Sequence, residues 1–135
     1  MSAADGPPRP RLVGLTGEYY GWLRRHELRF QRCSGCGRYR HVPRELCAAC
    51  GSDGFEWAPS SGRGEVFTWT TTYRAMHPRF LEVPFTSVVV ELEEGPRVLT
   101  SVEGVDEADL RIGLAVRAVF DDVDDELTLL RFLPA

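Results

Sequence analysis

All four cysteines of this chain fall in one short window, Cys33, Cys36, Cys47 and Cys50, with the spacing C-x2-C-x10-C-x2-C. Each C-x2-C turn points two sulfurs at one spot, and the ten-residue spacer lets the second turn fold back to complete a tetrahedron. The pattern predicts a closed, structural four-thiolate metal site. Zinc is the expected ion, because all-sulfur tetrahedral sites suit zinc or iron and zinc needs no redox partner. Gly35 lies inside the first knuckle, while Gly37 and Gly51 follow the second cysteine of each knuckle, where the turn needs a positive φ. Disulfides are not expected, because the proline-rich start, with Pro7, Pro8 and Pro10, does not read as a secretory signal. A redox pair of C-x-x-C motifs would need a βαβ context that the sequence lacks. A closed site leaves no position for chemistry, so its contribution is to folding, on the order of 10–16 kcal/mol for zinc modules at neutral pH.

A length of 135 residues leaves room for one domain plus a small module. No apolar run is long enough to cross a bilayer, and the expected compartment is a reducing cytoplasm. All sixteen basic residues are arginine, which excludes a Schiff-base lysine and a phosphate-loop lysine. Charge is unevenly distributed. Residues 1–50 carry nine arginines against four acids and residues 51–135 seven against sixteen, so +5 and −9 combine to the formal net charge of −4. Arg29, Arg32, Arg38, Arg40 and Arg44 crowd the cysteine window. Their guanidinium groups, Arg38 and Arg40 foremost, suit phosphates of a nucleotide-bearing ligand, an acidic protein face, or simple solvation.

Organisation follows from periodicity. Thr16 reads as a helix N-cap, with Glu18 in the first turn and Leu15 stapled onto Tyr20, and Tyr19, Trp22, Leu23 and His26 recur at helical spacing. The segment from Ser52 to Gly64, rich in Gly, Ser and Pro around Phe55-Glu56-Trp57, reads as a linker. Five strands follow: Glu65 to Arg74, Phe85 to Leu92, Arg97 to Val102, Leu114 to Phe120 and Leu127 to Phe132. Glu94-Gly95-Pro96 makes a hairpin turn, Asp106 to Ile112 a helical break, and Asp121 to Asp125 an acidic turn. Five strands with a helical break between the third and fourth predict an OB-type barrel. The expected fold is therefore mainly β: a disordered tail over 1–15, a helix and rubredoxin-like four-cysteine zinc ribbon over 16–61, and a five-stranded OB barrel over 62–135.

No catalytic motif is present: there is no G-x-S-x-G, H-E-x-x-H, G-x-x-x-x-G-K or helix-opening G-x-G-x-x-G. The candidate contact segment is the apolar loop from Tyr73 to Phe85 (YRAMHPRFLEVPF), with Tyr73, His77, Arg79, Phe80 and Phe85 as its candidate residues. Such a loop either plugs the barrel mouth or meets a partner or an acyl chain.

The order of segments, with GRGEVFTWTTTYRAMHPRF, VPFTSVVVELEEGPRVLTSVEG and LRIGLAVRAVF after the cysteine ribbon, resembles the acyl-CoA-associated zinc-ribbon/OB-fold family, long filed as domain of unknown function thirty-five. The resemblance runs from Gly17 to Phe132. It implies a small, non-catalytic subunit that joins a thiolase-fold enzyme, such as a thiolase, an acyltransferase or a lipid-transfer-protein-like aldolase of steroid side-chain degradation. In some members it implies fusion to or pairing with a hot-dog-fold acyl-CoA hydratase. No catalytic residue is implied for this chain. Two other classes fit parts of the pattern. A single-stranded nucleic-acid module is disfavoured by the −9 balance of residues 51–135, since a strand groove needs a positive track. A rubredoxin-like electron carrier would hold iron and absorb visible light.

Overall fold

The computed structural model describes residues 7–79 and 82–135. Phe80, one of the candidate loop residues, lies outside the described residues. Pro7 to Val13 run without regular structure, and Arg9 is held to Asp124 by an ion pair of 2.8 Å. Helix α1 spans Gly14–Arg24. Three short strands, β1 (Arg29–Cys33), β2 (Tyr39–Arg40) and β3 (Phe55–Pro59), form an antiparallel sheet in the order β2-β1-β3. Five longer ones, β4 (Arg63–Thr72), β5 (Phe85–Leu92), β6 (Arg97–Thr100), β7 (Ala115–Asp122) and β8 (Thr128–Pro134), form a second antiparallel sheet in the order β6-β5-β4-β7-β8. A 3-10 turn at Glu107–Asp109 separates β6 from β7. The second sheet curls until Val102 and Phe132 form one parallel bridge, which joins the ends of β6 and β8 and gives the OB topology.

Two expectations are corrected. The helix starts at Gly14, with Val13 as its N-cap and no side-chain cap, rather than at Thr16. Gly14 has φ 59, and the chain before it doubles back so closely that a Cβ on Gly17 would lie 2.8 Å from the Leu12 carbonyl. Backbone geometry thus starts the helix, and Glu18 accepts a bond from the Trp57 indole instead of capping. The segment read as a linker contains β3, which pairs with all of β1 from Arg29↔Pro59 to Cys33↔Phe55. Its few aromatic positions suffice because β1 supplies the partner.

The opening glycines of the barrel have separate reasons. Gly62 takes φ 75, whereas Gly64 lies against β5 so closely that a Cβ would stand 2.5 Å from the Glu91 carbonyl oxygen. β4 then carries a bulge between Val66 and Thr68, which helps the sheet to coil.

The core is continuous across both sheets. Tyr19 and Leu23 of α1, Leu28, and Phe30 of β1 belong to the same buried cluster as Val66, Val88, Val90, Val116 and Phe132 of the barrel. Tyr19 and Leu23, two of the residues recurring at helical spacing, are therefore spent on the chain's own core. Trp22 remains half-buried, with the guanidinium groups of Arg29 at 4.4 Å and Arg25 at 5.0 Å over its ring. His41 sits between Tyr19 and Phe30, at ring distances of 5.0 and 5.4 Å.

Burial holds the His41 imidazole down at about 4. The folded chain then keeps this ring neutral while the unfolded chain takes up a proton, so its contribution is full above the ordinary value of 6.5 and declines as pH falls towards 4. Between about pH 7 and 5.5, His41→Phe should lose about 1 kcal/mol less stability than the parent in urea melts. Gly64→Ala should cost about 1–3 kcal/mol by overpacking, seen as a lowered melting temperature. An unchanged melting temperature would place the Glu91 carbonyl elsewhere.

Candidate functional site

The cysteine centre is built by two knuckles with the same wiring. In the first, the Cys33 amide donates to the Arg38 carbonyl (2.8 Å) and the Gly37 amide to the Cys33 carbonyl (2.9 Å). In the second, the Cys47 amide donates to Ser52 (2.9 Å) and the Gly51 amide to Cys47 (2.9 Å). Gly37 and Gly51 have φ 77 and 78, as their positions required. The four sulfurs lie within 4.8 Å of one another, with Cys33 to Cys50 and Cys36 to Cys47 both at 3.6 Å. A tetrahedral ion with metal–sulfur bonds of about 2.3 Å needs sulfur–sulfur edges of about 3.8 Å, so the donor set fits a closed metal site.

Electrostatics agree. The Cys33 thiol is lowered to about 6, chiefly by the amides of Cys36 and Gly35, and Cys47 is lowered by those of Cys50 and Ala49. Cys50 goes the other way, to about 11: the Ser52 amide draws it down, but the Cys33 sulfur, burial, and the Cys36 and Cys47 sulfurs raise it. Clustered thiolates of this kind are what a divalent cation stabilises.

The loop between the knuckles is pinned by Gln31, which is fully buried on β1. Its side-chain amide donates to the Arg44 carbonyl at 2.9 Å, and its oxygen accepts from the Arg44 amide at 2.8 Å and Arg40 Nε at 3.3 Å. Sequence reasoning passed over Gln31, since a lone glutamine in a basic run gives no local signal of burial.

The arginines around the ribbon divide by role. Arg29 binds Glu27 and the Trp57 carbonyl, and Arg32 lies over Tyr39. Arg40 folds inward over Phe55, with both Nη atoms buried and without hydrogen-bond partners among the described residues. It is thus turned away from any external phosphate. Arg38 is exposed.

The structure separates the remaining candidates. Tyr73 is 69% exposed with its hydroxyl donating to Glu107 at 3.2 Å, and Met76 is also solvent-facing, so these two side chains do not plug the barrel. The Arg79 amide donates to His77 Nδ1 at 3.0 Å, and its guanidinium reaches the Pro7 carbonyl at 3.3 Å. Phe85 instead lines a cleft of about 440 Å³ between α1, His41, β6 and β8. That cleft was not legible in sequence because its walls come from five separate segments.

Together, the fold and the cysteine centre define a four-cysteine ribbon joined to an OB barrel by a common core. Residues 23–56 match the family model of the ChsH2 rubredoxin-like zinc ribbon domain, and residues 57–121 that of the ChsH2 C-terminal OB-fold domain. The chain belongs to this ChsH2-type zinc-ribbon/OB-fold family, DUF35. It is 36% identical over 121 residues to the 3-oxo-4,17-pregnadiene-20-carboxyl-CoA hydratase alpha subunit of Mycobacterium tuberculosis, covering 90% of this chain and 38% of that protein. It is 34% identical over 77 residues to the benzoylsuccinyl-CoA thiolase subunit BbsA of Geobacter metallireducens, covering 57% of this chain and 51% of that one. The chain spans about two fifths of the length of the hydratase alpha subunits it matches. A solved Ltp2-ChsH2(DUF35) aldolase has a chain that superposes with a TM-score of 0.83 at 32% identity, covering 93% of this chain and 98% of that one.

Purified protein should carry one metal ion per chain by elemental analysis. Cys47→Ser should lose it and become protease-sensitive, since a ribbon this small cannot replace about 10 kcal/mol of metal binding by packing. A metal-free Cys47→Ser protein of parental stability would refute the structural role.

Proposed function

We propose that this chain is a non-catalytic subunit, or the corresponding domain of a longer polypeptide, that binds and stabilises a thiolase-fold enzyme acting on acyl-CoA. The specific reading is a lipid-transfer-protein-like aldolase that cleaves a steroid side-chain acyl-CoA. The observation that carries it is the likeness to the Ltp2-ChsH2(DUF35) aldolase chain over nearly the whole length of both. Pairing with a hot-dog-fold hydratase is a further proposal, in keeping with the hydratase alpha subunits among its relatives. Zinc is the proposed ion of the cysteine centre, in agreement with the ribbon model matched there.

In this reading the partner supplies nucleophile and base, and this chain supplies shape. The working boundaries are the ribbon unit at 16–61 and the barrel at 62–135. Arg38 on the ribbon and Tyr73, His77, Arg79 and Phe85 around the barrel loop are the proposed contacts with partner or acyl-CoA. Arg40 is given a structural role, because its guanidinium is directed into the ribbon. The acidic balance of residues 51–135 speaks against nucleic acid as the ligand.

Co-expression with a thiolase-fold aldolase from the same genome should yield a near-equimolar complex on size-exclusion chromatography. Within it, Arg79→Ala should raise KM for the acyl-CoA about tenfold, the loss expected of one charge-assisted contact. Failure to form the complex would refute the subunit reading, and an unchanged KM would remove Arg79 from the site.

A further inference from the structure

The cleft of about 440 Å³ beside α1 is lined by polar groups that the fold itself leaves without partners. Tyr19 is only 6% exposed, yet its hydroxyl makes no hydrogen bond with any described residue. The side chains of Tyr20 and His41, which line the same cleft, also make none among the described residues. The three rings form one group, with Tyr19 at 5.3 Å from Tyr20 and 5.0 Å from His41. Among the described residues, the side-chain polar atoms that are both shut off and unpartnered are the Arg40 Nη pair. The Tyr19 hydroxyl therefore opens onto accessible space, and the space that Tyr19 lines is this cleft. A side chain so deeply buried normally has its polar atom bonded, so the missing bond is made to a guest.

The other walls say what kind of guest. Leu23, Val98, Leu129 and Leu130 are apolar, and Leu99 and Phe85 border the cleft while 72% and 40% exposed. Water alone leaves that apolar surface wet, whereas an apolar molecule covers it. Arg131 carries the one charge on the lining, and it is already engaged, by Asp121 at 2.8 Å and by the Ser101 hydroxyl at 2.8 Å. Burial also holds the His41 ring neutral and raises the Tyr19 phenol above its ordinary value. An ionic guest would thus lose its water without gaining a counter-charge. The Thr100 hydroxyl, donating to the Leu130 carbonyl at 2.8 Å, ties β6 to β8, so a guest lies between α1 and this closed seam.

We propose that this cleft is a binding site for a neutral, mainly apolar small molecule that carries one carbonyl or hydroxyl oxygen. That oxygen accepts a hydrogen bond from the Tyr19 hydroxyl, with Tyr20 and His41 beside it, and the apolar body covers Leu99 and Phe85. Apolar walls around a few convergent polar groups are the usual make-up of a small-molecule site, and the volume lies within the usual range. The site is wholly within this chain, so it does not depend on the subunit reading.

The test is a titration of the free, metal-loaded chain with benzophenone, two apolar rings and one carbonyl, followed by amide NMR. Saturating shifts should centre on Tyr20, Leu99 and Leu130. Diphenylmethane, which lacks the oxygen, and benzoylbenzoate, which adds a charge, should each bind at least about tenfold more weakly. Tyr19→Phe should weaken benzophenone about tenfold with metal content unchanged and melting temperature not lowered, because its hydroxyl has no partner in the fold to lose. Leu99→Glu, at an exposed position outside the core, should weaken it at least as much. The site is overturned if no saturable shifts appear at these amides, if either analogue binds as tightly as benzophenone, or if Tyr19→Phe binds like the parent.

Discussion

The four-sulfur centre is the constraint from which the rest of the molecule is hung. Cys33 ends β1, and three residues earlier the same strand places Phe30 in the core with no exposed surface. Between them Gln31 ties β1 to the loop before Cys47. Fixing the sulfurs therefore fixes β1, β1 seats Phe30 and His41 against Tyr19, and α1 in turn covers the barrel near β8. A metal bound there would contribute about 10–16 kcal/mol, as much as the whole stability of an ordinary domain.

What was legible in sequence was whatever repeats or punctuates. The cysteine spacing and Gly37 and Gly51 gave the knuckles, because both depend on a few local torsions. The barrel strands were readable from alternation and β-branching, with ends displaced by about two residues: β4 begins at Arg63 rather than Glu65, and β6 stops at Thr100 with Val102 left as a single bridge. β3 was read as linker since Phe55–Pro59 owes its strand character to β1 rather than to its own composition. The start of α1 was misplaced because Gly14 and the reversal at Leu12 outweigh a side-chain cap at Thr16. Tertiary placement was not legible at all. Arg38 and Arg40 are two residues apart and of one type, yet one is exposed and the other has its guanidinium buried over Phe55.

The same facts bear on function. Most ribbon arginines are engaged within the fold, which weakens the idea of a broad phosphate-binding face and leaves exposed apolar groups as the larger unpartnered resource. Leu99 and Phe85 line the cleft beside β6, and Tyr73 and Met76 are exposed apolar side chains elsewhere on the barrel, on a chain whose core is already complete. A ribbon and barrel built on one core, with apolar side chains left on the surface, are suited to complete another protein's surface. That is the role proposed from the likeness to the aldolase chain.

Cooperative unfolding of ribbon and barrel as one unit follows from their shared core. It is tested most directly by hydrogen exchange at Val66, Val88 and Val116 before and after the metal is removed with a chelator. These barrel amides should lose protection together with Phe30 and Gln31 of the ribbon. Barrel amides that stay fully protected while the ribbon exchanges freely would show two independent units and contradict it.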